Sequence, residues 1–210
     1  AVELGCGRGM DVLWMARQGG FSKVVGVDVS PSAVDDARRH LAAMRANGTL
    51  PEDLEVEFHV YDVLKLPAPT QHIDFLWDNT VHQNVFRLGK KGDYLEMLTR
   101  VVNSTTVMLV NVMSGDFQPD GEDYSNGRRN AVELNVPLQF NDDLRRDFAA
   151  HFHIHSIHQG LYDLKIFDEA FKNTHLGKLD KWPVRNGGIP SWCLLMQLRS
   201  GAGTPEHAIL

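Results

Sequence analysis

Three glycines fall within five residues, Gly5-Cys6-Gly7-Arg8-Gly9. They separate a short apolar run (1–4) from a stretch with helical spacing (11–17) that stops at Gly19-Gly20. A strand, a glycine turn and a helix in succession leave few folds open. Glycines let a ligand approach the backbone closely, and the first N–H groups of the following helix point into the same space. Such a turn reads as the nucleotide-binding edge of an open α/β sheet.

The chain downstream keeps that rhythm. Residues 24–27 form a β-branched run that reads as a buried parallel strand. Ser30-Pro31 sets a capping serine before a proline at the first helical position, and the helix runs to the stop signal Asn47-Gly48. Strands are predicted over 56–60, 73–77 and 105–113, with a short helix over 94–102. A helix over 142–150 and strands over 151–159 and 191–198 complete the pattern. The expected fold is α/β: a Rossmann-like open twisted sheet, mostly parallel with an antiparallel last strand and helices on both faces. One domain is expected over 1–199 and a disordered tail over 200–210. Residues 114–141, rich in Gly, Asp, Asn and Pro, are long for a plain connection and read as a lid or recognition loop. A second irregular stretch covers 163–190.

Bulk properties narrow the partners. The 210 residues carry a formal net charge of -6 and no run of lysine or arginine, which argues against a large nucleic-acid footprint. Cys6 and Cys193 sit in unrelated contexts and are expected to stay unpaired in a reducing compartment, the cytoplasm by default. No apolar stretch reaches membrane-spanning length.

Asp28 lies 23 positions after Gly5 (28 − 5), at the end of the second strand, where a carboxylate can take adenosine ribose hydroxyls. The dinucleotide pattern G-x-G-x-x-G nevertheless fails, because Met10 stands where its third glycine would be. Glu3-Leu4-Gly5-Cys6-Gly7-Arg8-Gly9 instead resembles the first motif of class I S-adenosylmethionine-dependent methyltransferases. The resemblance continues in order through Gly26-Val27-Asp28-Val29-Ser30, Tyr61-Asp62-Val63 and Ile73-Asp74-Phe75-Leu76-Trp77-Asp78, over the first half of the chain.

That resemblance implies S-adenosyl-L-methionine as methyl donor and S-adenosyl-L-homocysteine as product. Gly5, Cys6, Gly7 and Gly9 would form the surface under its methionine part and ribose. Glu3 would order the turn or meet the donor's amino group through water. Asp28 would take both ribose hydroxyls and Val29 would pack on the adenine. Asp62 would accept from the adenine amino group and the Val63 amide would donate to a ring nitrogen. Trp77 and Asp78 would face the methionine amino group. A further helix covering the donor is expected before residue 1. Plainer readings stand beside these: Asp62 as a turn cap, Asp78 as a strand-end turn residue, and Cys6 as a small packed residue.

Acceptor-side candidates follow the fourth strand: Asp78, Asn79, His82 and Gln83. Asp78 and His82 are the candidate catalytic residues, His82 as a base because its ordinary pKa lies near neutrality. A packed helix histidine is the competing reading. Asp78-Asn79-Thr80-Val81 lacks the paired prolines of enzymes that methylate nucleic-acid amino groups. The overall layout is loosely similar to small-molecule methyltransferases of the thiopurine type. A small-molecule acceptor is therefore expected, with a lysine-type protein acceptor or a silent donor-binding partner protein as alternatives. His151, His153, His155 and His158 read as a polar strand face, since no carboxylate or cysteine is spaced to complete a metal site. Trp14 and Met15 read as helix packing, and Arg128-Arg129 as a solvated loop.

Overall fold

The computed structural model describes residues 1–51, 53–114, 141–163 and 188–200, the side chains of 161–163 and 188–190 excepted. The expected lid, the second irregular stretch, the tail and Arg128-Arg129 lie almost wholly outside these residues.

The first half alternates strand and helix as the glycine and proline signals dictate. β1 (Val2–Leu4) leads through the glycine turn to α1 (Met10–Gln18), β2 (Lys23–Asp28), α2 (Pro31–Ala46) and β3 (Glu55–Val60). Ser30 caps α2, its Oγ accepting from the Ala33 N–H at 3.3 Å, with Pro31 at the first helical position. A single 3-10 turn, Val63–Lys65, precedes β4 (Phe75–Asn79). Then come α3 (Val81–Arg87), α4 (Lys91–Val101), β5 (Val107–Met113), α5 (Asn141–Ala149), β6 (Phe152–Asp163) and β7 (Gly188–Leu198).

The strands form one seven-stranded sheet in the order β3-β2-β1-β4-β5-β7-β6. β1 to β5 are parallel, whereas β7 runs antiparallel to both β5 and β6. This is the expected fold. α1 and α2 cover one face over Val12, Leu13, Val34, Ala37 and Phe58. The other face is packed around Leu76, Tyr94, Met97, Leu98, Met108, Phe148 and Phe152. Each buried Val, Leu, Met or Phe side chain there contributes roughly 1.5–3 kcal/mol by leaving water.

Several boundaries differ from expectation. β4 starts at Phe75, not 73, where the parallel ladder with β5 begins at the Phe75–Val107 pair; before it the Ile73 carbonyl accepts from the Thr106 hydroxyl. It runs on through Asp78 and Asn79, so Asp78 is a strand residue and not a turn residue. α3 was not anticipated, and α4 begins three residues earlier than expected. A bulge between Ile154 and Ser156 also breaks the expected alternation of the histidines along β6. The His153 and His155 rings meet edge to face at 4.6 Å, and no metal-holding group of three or more ligands occurs among the described residues. Cys6 and Cys193 are both free thiols, and no described helix is long and apolar enough to cross a membrane.

Candidate active site

β1 lies between β2, on one side, and β4, on the other, so the chain reverses its direction across the sheet between β1 and β4. Ligands of open α/β sheets bind outside the carboxyl ends of the strands at such a switch point. Leu4 is paired with both Val27 and Asp78, so the glycine turn, Asp28 and the end of β4 emerge together there.

The turn is tightly specified. Gly5 has φ +66°, and a Cβ on it would stand 2.1 Å from Val81 Cγ2, so only glycine fits under α3. Gly7 has φ +52° and open space where its Cβ would be, a cradle facing outward. Gly9 closes the turn, its N–H donating to the Cys6 carbonyl at 2.8 Å. The Cys6 N–H donates to the Val27 carbonyl at 2.9 Å, and burial pushes the thiol up to about 12. Cys6 is packed beneath the turn, where burial disfavours the thiolate that a nucleophile would need.

Asp28 fastens the turn to β2. Its Oδ2 accepts from the Gly7 N–H and its Oδ1 from the Ser30 N–H, both at 2.8 Å. The Tyr61 N–H donates to the Asp28 carbonyl at 2.8 Å, which sets Asp62 and Val63 beside Val29. Val29 is 70% exposed. Asp62 caps the 3-10 turn by accepting from the Leu64 N–H at 3.1 Å, and Val63 opens that turn.

Glu3 is the residue at odds with its surroundings. It is 3% exposed, its carboxyl accepts from the Val12 N–H, and its Oε2 has no partner. Burial, followed by the charges of Asp11, Asp78 and Asp28, pushes its pKa up to about 9, so it holds its proton at neutral pH. Glu3, Asp11, Asp28 and Asp78 thus lie close together at this edge. Asp11 was not singled out in the sequence, where it looks like the polar face of a helix. Its Oδ2 accepts from Trp77 Nε1 at 3.2 Å and from Asn79 Nδ2 at 2.8 Å, which orients the Trp77 ring.

Asp78 and His82, the candidate catalytic residues, are both buried in the described structure. Asp78 is fully buried and its carboxylate is spent inside the core. It accepts from the Val81 N–H at 2.8 Å, from the His82 N–H at 3.0 Å and from the Tyr94 hydroxyl. Burial raises its pKa to about 7. His82 is also fully buried, its ring 3.9 Å from that of Phe86 and 5.0 Å from that of Phe148. Neither ring nitrogen has a partner among the described residues, and burial, with Lys91 adding to it, pushes its pKa down to about 3. A base must come within hydrogen-bond reach of the proton it takes. Any added chain could only bury this ring further. Gln83 is likewise structural, its Oε1 accepting from the Met113 N–H at 2.6 Å.

A family model described as a methyltransferase domain matches residues 1–105, half of the chain. The chain belongs to that family, the class I S-adenosylmethionine-dependent methyltransferases. No curated protein matches it. Among solved structures it is similar to an S-adenosylmethionine-dependent methyltransferase of Methanosarcina mazei, with 14% identity over 93% of this chain and 90% of that one, at a TM-score of 0.67. It is similar to a putative methyltransferase of Haloferax volcanii, solved with the activator Trm112, with 18% identity over 95% and 82% at 0.60. A geranyl diphosphate C-methyltransferase of Streptomyces coelicolor, solved with S-adenosyl-L-homocysteine, matches with 17% identity over 93% and 71% at 0.59. At these identities the methyltransferase resembles its neighbours in fold.

Proposed function

We propose that this methyltransferase takes S-adenosyl-L-methionine at the glycine turn and passes its methyl group to a small-molecule acceptor. The observation that carries the reading is the buried, orphaned carboxyl of Glu3 amid three further acids at the switch point. Bound there, the donor supplies a methyl group on a sulfonium, displaced in line to leave S-adenosyl-L-homocysteine.

The chain's own residues divide the binding. Glu3 offers its free oxygen toward the donor's amino group. Asp28 uses one acceptor position on each oxygen for the Gly7 and Ser30 amides, which leaves lone pairs for two ribose hydroxyls. The exposed Val29 side chain provides an apolar platform for adenine, with Asp62 and the Val63 amide at its edge. Trp77, held by Asp11, walls the methionine end. A sulfonium donor is already reactive, so the protein's task is alignment and exclusion of water.

The acidic balance without a basic cluster supports a small acceptor, as does the likeness to a geranyl diphosphate methyltransferase. Calorimetry on the full-length protein should show binding of S-adenosyl-L-methionine and of its demethylated product; no binding of either would end the reading. Radiolabelled donor incubated with a size-fractionated cell extract should label small metabolites, whereas label in the protein fraction would move the acceptor to protein.

A further inference from the structure

The turn joining β4 to α3 holds an unusual residue. Thr80 has φ +77°, a left-handed conformation that is costly for a β-branched side chain. Such a residue persists only where its surroundings fix it, and it clusters at functional sites. Here the Thr80 N–H donates to the Asn111 carbonyl at 2.8 Å and the Thr80 carbonyl accepts from Asn84 Nδ2 at 2.8 Å. The next two amides, of Val81 and His82, are both taken by the Asp78 carboxylate. The Tyr94 hydroxyl of α4 donates to that carboxylate from below. The consequence reaches the glycine turn, because Val81 Cγ2 occupies the space where a Gly5 Cβ would be.

We propose that Asp78 and Tyr94 are positioning residues for methyl transfer, holding the glycine turn in its donor-binding shape through Val81. The proposal rests on the donor site argued above. Tyr94 and Asp78 touch no ligand; they fix Val81, and Val81 fixes Gly5.

The charge of Asp78 sets how firmly the clamp holds. The groups facing it are the Tyr94 hydroxyl of α4, the Val81 and His82 amides and the uncharged His82 ring of α3, and the protonated Glu3 of β1. None of these is a cation. Burial therefore opposes ionisation, and only the three hydrogen bonds sustain it, which leaves the carboxyl near its midpoint at neutral pH. Protonation turns one acceptor lone pair into an O–H and loosens the start of α3. Removing the tyrosine hydroxyl takes away a hydrogen bond to the charged form, so it moves that loosening to higher pH.

The test is calorimetric titration of S-adenosyl-L-methionine into the full-length protein and its Tyr94→Phe variant from pH 6 to 9. The expected result is about three- to tenfold weaker donor binding by the variant at pH 7, because a smaller share of its Asp78 is ionised and competent to hold the turn. The two proteins should converge by pH 9, where Asp78 is ionised in both. A ratio that is constant across pH, or equal affinities throughout, overturns the proposal, because simple loss of packing has no such pH signature. Val81→Ala provides a second check and should weaken binding at every pH; unchanged affinity overturns the link through Gly5. Wild-type protein that binds no donor at any pH refutes the donor site itself, an outcome distinct from donor binding without the tyrosine effect.

Discussion

Glu3 carries its proton at the switch point, and that has a thermodynamic sign. Its folded pKa of about 9 lies above the unfolded value of 4.5, so the folded state binds the proton more tightly. The associated stability is complete below about pH 4.5 and is lost as pH rises through 9. Asp78 has the same sign but finishes near pH 7, which leaves the window from 7 to 9 to Glu3. Thermal unfolding of ligand-free protein should therefore show stability falling by about 1–3 kcal/mol across that window, and Glu3→Gln should flatten the fall. His82 has the opposite sign: with its pKa pushed down to about 3, its contribution is present above the unfolded 6.5 and is lost as pH falls. His82→Phe should resist acid better than wild type while keeping donor affinity. Intact folding with donor binding or methyl transfer lost would return His82 to a part in catalysis.

At the scale of elements, the pieces that sequence made legible are those whose signals are local. Ser30-Pro31 announces α2, and an acid followed by alternating glycines announces β1, the turn and α1 together. Glu3, Gly5, Gly7 and Asp28 were legible for the same reason, since each sits at a fixed offset from a strand end. α3 was not legible because its cap is misplaced. The capping acid Asp78 lies two residues before the N-cap position, inside a strand, and Thr80 at the N-cap makes no side-chain cap. Seven residues including Val81, His82, Asn84 and Val85 also have weak helical propensity, so tertiary contacts decide. Asp11 and Tyr94 escaped notice for a related reason, as their partners Trp77, Asn79 and Asp78 are distant in sequence. The Gly5–Val81 contact gives a sharp test. Gly5→Ala should cost about 2–4 kcal/mol in denaturant unfolding, from the clash and the left-handed backbone together. Adding Val81→Ala should recover the clash portion only, and strict additivity of the two changes would deny the contact.

At the scale of the whole molecule, the sheet carries a core on each face. One face rests on α1 and α2; the other is filled by Tyr94, Phe148, Phe152 and their neighbours. Phe152 of β6 packs edge to face on Phe148 at 5.9 Å and lies on the far side of β5 from the glycine turn in the sheet. Phe152→Ala should cost about 3–5 kcal/mol of global stability. Donor affinity of the remaining folded molecules, measured at low temperature, should stay within a factor of two or so, because 1.4 kcal/mol is needed for tenfold. A large loss of affinity there would show that the core and the switch point are coupled.

The packing of Cys6 has one more consequence. A Cβ on Gly26 would lie 2.8 Å from Cys6 Sγ, so the bare glycine backbone seals the thiol beneath the turn. Alkylating reagents need an exposed thiolate, which this closed arrangement denies them. Modification of Cys6 by iodoacetamide then proceeds only when the loop breathes, and its half-time becomes a clock for that opening. The residue is a built-in label, and a ligand that settles on the turn should stop the clock.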